Sequence, residues 1–216
     1  MAYSMQILAL DTASPVPSVT LLVRDELWEE PLPGDRRASE ELLPAIERCL
    51  AASGRRLSDC NRIAVCSGPG SFTGLRIGLA TAWALGRAAA IPVEAVSTLE
   101  ALAETVRGRG ILRVAAALDA GRGQVVLGVF SLEADRARAE GPAERLPLEQ
   151  AGGRADRVPV VSLPPDLVSP RGERPGLSPS RALALAVDRA PGKETLSRLE
   201  GIYSRPSAAE EKHGAP

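Results

Sequence analysis

The sequence predicts a two-lobed α/β protein with a mixed sheet and helices in each lobe. Three observations carry that expectation. Short apolar runs alternate along the chain with stretches of helical periodicity. The pattern of apolar strand, aspartate, tight turn and second strand occurs twice, with the aspartates at Asp11 and Asp119. These stand 108 positions apart in a chain of 216 residues, the spacing of an internal duplication, and Gly108-Arg109-Gly110 offers a linker just before the second copy. The expected division is a first lobe at 5–108, a second at 109–206 and a tail at 207–216.

In chain order, residues 1–4 read as a short leader and Ile7–Leu10 as the first strand. The turn Thr12–Pro17 returns the chain into a second strand, Ser18–Val23. Asp25–Arg37 supplies a third strand and a loop. Ser39 is the expected N-cap of a helix with Glu40 and Glu41 in its first turn. Leu42, Leu43, Ile46, Cys49 and Leu50 then recur at helical spacing, Pro44 falls early enough to be tolerated, and Gly54 ends the helix. Ile63–Ser67 is a short buried strand, Gly68–Gly74 a loop, and a helix follows to Ala90. Ile91–Ala95 is a strand and Thr98–Arg107 a helix. Arg113–Leu118 and Gln124–Phe130 form a hairpin around Ala120–Gly123. From residue 142 onward lie 11 of the 18 prolines, so little regular structure is expected there. What remains is a strand at Val158–Val161, a loop at Pro164–Pro179 and a short helix at Arg181–Ala190, capped by Ser178 or Ser180.

Composition excludes several functions. The 26 positive and 27 negative side chains leave a net charge of −1, without the basic excess that unaided nucleic-acid binding needs. Direct tight binding of nucleic acid by this chain alone is therefore not expected. The single histidine, His213, stands near the C-terminus. His-paired metal sites and Ser–His–Asp or Cys–His catalysis have no imidazole in the body of the chain, so no metal site is expected. Cys49, Cys60 and Cys66 are odd in number and lack C-x-x-C spacing, which points to free buried thiols in a reducing compartment. The apolar stretch Ile77–Ile91 is interrupted by Arg87 and is shorter than the ~20 residues of a membrane span. A cytoplasmic protein without membrane attachment is expected.

Three segments are candidates for chemistry. Asp11 and Thr12 stand where ligands gather in α/β sheets, and could hold a metal ion through water or a phosphate; an Asp closing a turn is the alternative. Gly68–Gly74 lies between a strand and a helix, where Gly68 and Gly70 let a ligand approach the backbone and Ser71 or Thr73 can cap a helix whose N-terminus attracts anions. It is not a Walker loop, since no lysine follows Gly74. A tight turn with a good cap remains the alternative. Asp119 mirrors Asp11, and two aspartates facing each other across a cleft would suit a Mg-nucleotide.

The helix after the loop carries Gly74, Gly78, Ala82 and Gly86 at intervals of four, one smooth stripe. Each glycine costs roughly 1 kcal/mol relative to Ala, so a close approach must offset it. The approaching body is either the protein's own sheet or a helix of another subunit. The second is expected, because Leu75, Leu79, Trp83 and Leu85 can cover the sheet. Leu42, Leu43 and Ile46 then complete a partner interface.

Gly68-Pro69-Gly70-Ser71-Phe72-Thr73-Gly74-Leu75-Arg76-Ile77-Gly78 is a long and unusual string, and it resembles the TsaB family, also called YeaZ-like. Val96-Ser97-Thr98-Leu99, Leu118-Asp119-Ala120, Ser39-Glu40 before Leu43-Pro44, and Ile202-Tyr203-Ser204-Arg205-Pro206 are similar to the same family. The resemblance implies the actin-like, sugar-kinase-like ATPase architecture. It implies a structural, partner-activating subunit needed to make threonylcarbamoyladenosine in tRNA. The partners it implies are a TsaD-like catalytic subunit, which carries the metal-binding histidines, and a small TsaE-like ATPase. The family is also grouped with glycoprotease-like peptidases. No cofactor is expected to be tightly bound, ATP or ADP with Mg would sit at the interface of the complex, and the same helices could form a homodimer. The competing expectation is a small-molecule kinase or ATPase of the actin-like superfamily using Asp11 and Asp119. The chain departs from the family pattern in three places. Ala38 stands where His is frequent, Gly121 stands where Arg usually follows the Asp-Ala pair, and residues 150–190 match nothing in it.

Overall fold

The computed structural model describes residues 5–33, 38–155, 158–169 and 172–190. The leader, His213, the tail and the Ile202–Pro206 string lie outside the described residues. Five strands build the first sheet: β1 (Gln6–Asp11), β2 (Ser18–Val23), β3 (Glu26–Pro31), β4 (Arg62–Cys66) and β5 (Val93–Val96), in the order β3-β2-β1-β4-β5. β1 runs antiparallel to β2 and parallel to β4. The second sheet holds β6 (Arg113–Gly121), β7 (Gln124–Leu132), β8 (Ala137–Ala139), β9 (Glu144–Pro147) and β10 (Val160–Leu163). Its order is β8-β7-β6-β10, with β9 also paired to β7. β6 runs antiparallel to β7 and parallel to β10. The order β3-β2-β1-β4 is thus repeated as β8-β7-β6-β10, which is the duplication legible at Asp11 and Asp119 and gives the expected two-lobed arrangement.

Among the described residues five α-helices fill the layers. α1 (Ala38–Ser53) and α2 (Phe72–Ala89) lie on one face of the first sheet. α3 (Thr98–Glu104) lies on the second sheet, and α4 (Leu148–Arg154) on that sheet's outer face. α5 (Pro179–Arg189) returns to the other face of the first sheet and packs on α3. The linker at 108–110 separates the sheets, yet a helix crosses over from each half. Leu183, Ala184 and Val187 of α5 are buried with Ile7, Ala9 and Ala64, while Leu99 and Leu102 of α3 are buried with Val114, Ala116 and Phe130.

Helix ends follow local chemistry. Ser71, not Thr73, caps α2, its hydroxyl accepting from the Gly74 N–H at 3.2 Å. Ser178 caps α5 by accepting from the Arg181 N–H. Ser180 is instead fully buried, its hydroxyl 2.7 Å from those of both Ser18 and Thr20. α1 begins at Ala38, so Ser39 stands within its first turn. α3 ends at Glu104, three residues short of expectation, as the Thr105 hydroxyl turns back to the Leu102 carbonyl. β8, β9 and α4 were not expected from the sequence.

The glycine stripe faces inward, which overturns the expected subunit interface. A Cβ at Gly74 would stand 1.9 Å from the Thr12 carbonyl oxygen, one at Gly78 2.2 Å from Thr12 Oγ1, and one at Gly86 2.3 Å from Val93 Cγ2. Ala82 is fully buried in the core beneath. The glycines let α2 settle onto the end of β1 and onto β5, and this internal packing offsets their helix cost. Leu79 is buried in the same core, with Leu75 and Leu85 beside it. Leu42 and Ile46 of α1 are also core residues, at 1% and 3% exposure, so they are not available to a partner. Of the three α1 positions expected at an interface, Leu43 alone is exposed, at 52%.

Gly78→Ala and Ala82→Leu should therefore each destabilise the chain by about 1–3 kcal/mol, as overpacking does. The check is the urea midpoint of each variant; an unchanged midpoint for both would put the stripe back on the surface.

Candidate functional site

The turn after β1 is closed rather than open. Asp11 ends the strand with 0% exposure. Its Oδ1 accepts from the Ala13 and Ser14 N–H groups, both at 3.0 Å, which is the chemistry of an Asx turn. Oδ2 is buried without a hydrogen bond, with the buried Cys66 as its neighbour. Burial pushes the Asp11 carboxyl above its ordinary value, against the pull of the bonds from Ser14 and Ala13. Burial and the adjacent Asp11 likewise push the Cys66 thiol well up. Cys49 is pushed to about 12 and Cys60 to about 11, mainly by burial, so all three cysteines are the free buried thiols expected.

The glycine loop is sewn to this turn. The Thr12 hydroxyl donates to the Gly74 carbonyl at 2.7 Å, and the Ser71 N–H donates to the Ala13 carbonyl at 2.9 Å. Gly70 has φ +153°, and a Cβ there would stand 2.2 Å from the Ala13 oxygen. On the other side the Gly68 N–H donates to Thr98 Oγ1 at 3.1 Å, and the Thr98 N–H donates to the Gly68 carbonyl at 2.8 Å. Gly68 itself has φ +100°, left-handed backbone that favours glycine. The structure thus brings Asp11, Thr12, Gly68, Gly70 and Ser71 together, but bonded to one another and to the backbone. Thr73 stays exposed.

Asp119 differs from its counterpart. It is exposed, and its Oδ1 accepts from the Gly121 N–H at 2.7 Å across a bulge in the β6–β7 hairpin. Two carboxylates facing a shared cleft are not what the fold provides, because Asp11 meets no solvent. Asp11 is enclosed with Oδ1 already taken by two backbone N–H groups, and among the described residues no group of three potential metal ligands gathers, so it does not fit a metal ligand.

Sequence reasoning missed a buried ionic cluster between the lobes. Glu94 of β5 and Glu104 of α3 are each 2% exposed. Arg136, 9% exposed and just before β8, pairs with both Glu94 and Glu100. Glu104 accepts from Arg107, from Arg189 at 2.6 Å and from the Ala137 N–H. Removing one member of a buried pair typically costs 3–5 kcal/mol, because the other charge is stranded. One signal was available in the sequence: Glu94 interrupts the apolar strand Val93–Val96.

The outward side of α2 carries Thr73, Arg76, Ala80 and Ala84, all exposed, with the Arg76 guanidinium 3.8 Å from the centre of the Phe72 ring. Exposed Leu43 lies on the neighbouring α1. This is the accessible surface closest to the expected interface.

Fold and site together define a two-lobed α/β protein whose strand-end turn is closed by its own backbone. The family model described as tRNA N6-adenosine threonylcarbamoyltransferase, TsaD, matches residues 31–144. The tRNA threonylcarbamoyladenosine biosynthesis protein TsaB of Escherichia coli (strain K12) is 39% identical over 128 residues, covering 56% of this chain and 53% of that protein. The protein of the same name from Bacillus subtilis (strain 168) is 36% identical over 127 residues, 58% of this chain and 55% of that one. The solved structure of YeaZ from Pseudomonas aeruginosa superposes with a TM-score of 0.71 at 31% identity, covering 85% of this chain and 90% of that chain. The chain belongs to the TsaB (YeaZ) family. It spans about half the length of the curated relatives it matches.

Asp11→Asn tests the structural reading of the turn, because Asn keeps the Oδ1 acceptor and removes the buried charge. The folded carboxyl titrates above its unfolded value, so ionised Asp11 costs stability at neutral pH and the cost fades as pH falls through the folded value towards the ordinary 3.8. The variant should be at least as stable as wild type at neutral pH, with an advantage that shrinks in acid. Denaturant melts across that range check it; a variant that is less stable at neutral pH and equal in acid would mean the ionised carboxylate is required.

Proposed function

We propose that this chain is a non-catalytic, partner-contacting subunit in the formation of threonylcarbamoyladenosine in tRNA, acting with a TsaD-like catalytic subunit. The observation that carries this reading is the family membership, with the names of the TsaB relatives. The closed turn supports a non-catalytic role: of the groups an ATPase reading would use, Asp11 is fully buried with Oδ1 in the Asx turn, and the Thr12 hydroxyl donates to the Gly74 carbonyl. A small-molecule kinase using Asp11 and Asp119 is disfavoured for the same reason.

On this reading a nucleotide with Mg, where the complex uses one, is held chiefly by the partner, and Asp11 and Thr12 take no part in it. The contact with the TsaD-like subunit falls on the outward side of α2 with Leu43, rather than on the glycine stripe. A homodimer would compete for the same surface, and a TsaE-like ATPase would join the assembled pair. The protein would act in the cytoplasm and leave tight tRNA binding to its partners, in keeping with its net charge of −1. Among the described residues no helix is long and apolar enough to cross a membrane.

The test is depletion of this chain in its own cell, followed by mass spectrometry of tRNA nucleosides. Threonylcarbamoyladenosine should fall towards zero and return with the wild-type gene. Leu43→Glu combined with Arg76→Glu should fail to restore it while the purified variant melts as wild type. Unchanged threonylcarbamoyladenosine on depletion would overturn the proposal, as would ATP turnover by the purified chain alone.

A further inference from the structure

The ionic cluster around Arg136 ties the second sheet to the edge strand of the first and to the helices packed between them. Arg136 belongs to the turn between β7 and β8, in the second sheet. Its Nη1 donates to Glu94 on β5, the edge strand of the first sheet, and to the Ala190 carbonyl at the end of α5, 3.2 Å away. Its Nε donates to Glu100 on α3. One guanidinium thus holds an edge strand of the other sheet and both helices of the central layer. The second carboxylate oxygen of Glu94 lies 3.6 Å from Arg62 of β4. Beside it Glu104 is fully occupied, by Arg107 and the Ala137 N–H on one oxygen and by Arg107 and Arg189 on the other. No carboxylate of Glu94 or Glu104 is left to bind a ligand, so the cluster is not read as a site.

Its position suggests a mechanical role. Among the described residues the sheets are also joined through the packed α3 and α5, through the Arg189 Nε bond to the Asp135 carbonyl at 3.0 Å and through the chain at 108–110, a middle layer about which one lobe can turn against the other. Two-lobed proteins commonly use such rotation to close around a ligand. Turning the second sheet about that layer would draw Arg136 away from Glu94, leaving that buried carboxylate with its longer contact to Arg62 and the guanidinium with Glu100, which disfavours the motion. Arg's planar fork meets several acceptors at once, which a single ammonium cannot do.

We propose that Arg136, seated on Glu94, Glu100 and the Ala190 carbonyl, is a lock that fixes the angle between the lobes, so that the chain meets its partners as one rigid body. The lock is a property of the free chain and stands apart from the tRNA-modification reading.

Its test is the distance between spin labels at Glu47→Cys on α1 and Gln150→Cys on α4, both exposed positions in different lobes. The three native cysteines are buried and should stay unlabelled in the folded chain. The otherwise unaltered chain should give one narrow distance distribution. Arg136→Met should broaden it, or shift it by several ångström, while the amides of the two sheet interiors keep their exchange protection. An Arg136→Met chain that folds and keeps the narrow distribution overturns the proposal. If Arg136→Met does not fold, Arg136→Lys decides. It keeps a positive charge beside Glu94 but cannot reach all three acceptors, so a broadened distribution supports the lock and an unchanged one overturns it.

Discussion

The first lobe depends on the contact between the start of α2 and the turn after β1. The Thr12 hydroxyl meets the Gly74 carbonyl, the Ala13 carbonyl meets the Ser71 N–H, and bare α-carbons at Gly70, Gly74 and Gly78 allow the approach. This seam fixes where α2 lies on the first sheet, and hence which side of α2 faces outward. It also encloses Asp11, whose carboxylate turns from a possible ligand into the keystone of an Asx turn. The long glycine-rich string that marks the family is, in this chain, a packing device before it is anything else.

The same seam sets what Asp11 can reach. A strand-end carboxylate serves chemistry only if solvent or substrate can reach it. Here protein backbone fills that space, and the counterpart carboxylate, Asp119, sits exposed on a hairpin where it organises its own turn. What the fold leaves exposed beside the seam is the outward side of α2 with Leu43, while charges buried in the middle layer bridge the two sheets.

Much of this was legible in the sequence where the determining interactions are local. The strand–Asp–turn–strand repeat and a hydroxyl cap near the starts of α2 and α5 each rest on neighbours a few residues apart, although local sequence did not separate Ser71 from Thr73 or Ser178 from Ser180, and the loop expected through Gly74 gives way to helix at Phe72. The glycine stripe was legible as a demand for close approach, but its direction was not. What approaches Gly74 and Gly78 is Thr12, some sixty positions upstream, and spacing along one helix carries no information about it. β8, β9 and α4 escaped notice because they are short and, for α4, contain Gly152 and Gly153; pairing with β7 and burial of Ala151 stabilise them instead of propensity. The Arg136 cluster draws on Arg62, Glu94, Glu100, Glu104, Arg107 and Arg189, scattered over most of the chain. Glu94 within an apolar strand was its one visible trace.

The seam is tested most directly by amide hydrogen exchange at Ser71 and Gly74 in the wild-type chain. Both amides donate inside the seam, to the Ala13 carbonyl and the Ser71 hydroxyl respectively. If the loop is stitched shut as described, they should exchange as slowly as the β1 and β4 amides of the first sheet, with free energies of opening near that of global unfolding. Exchange at the rate of an exposed loop, while β1 and β4 stay protected, would show that the turn opens freely and would contradict the account.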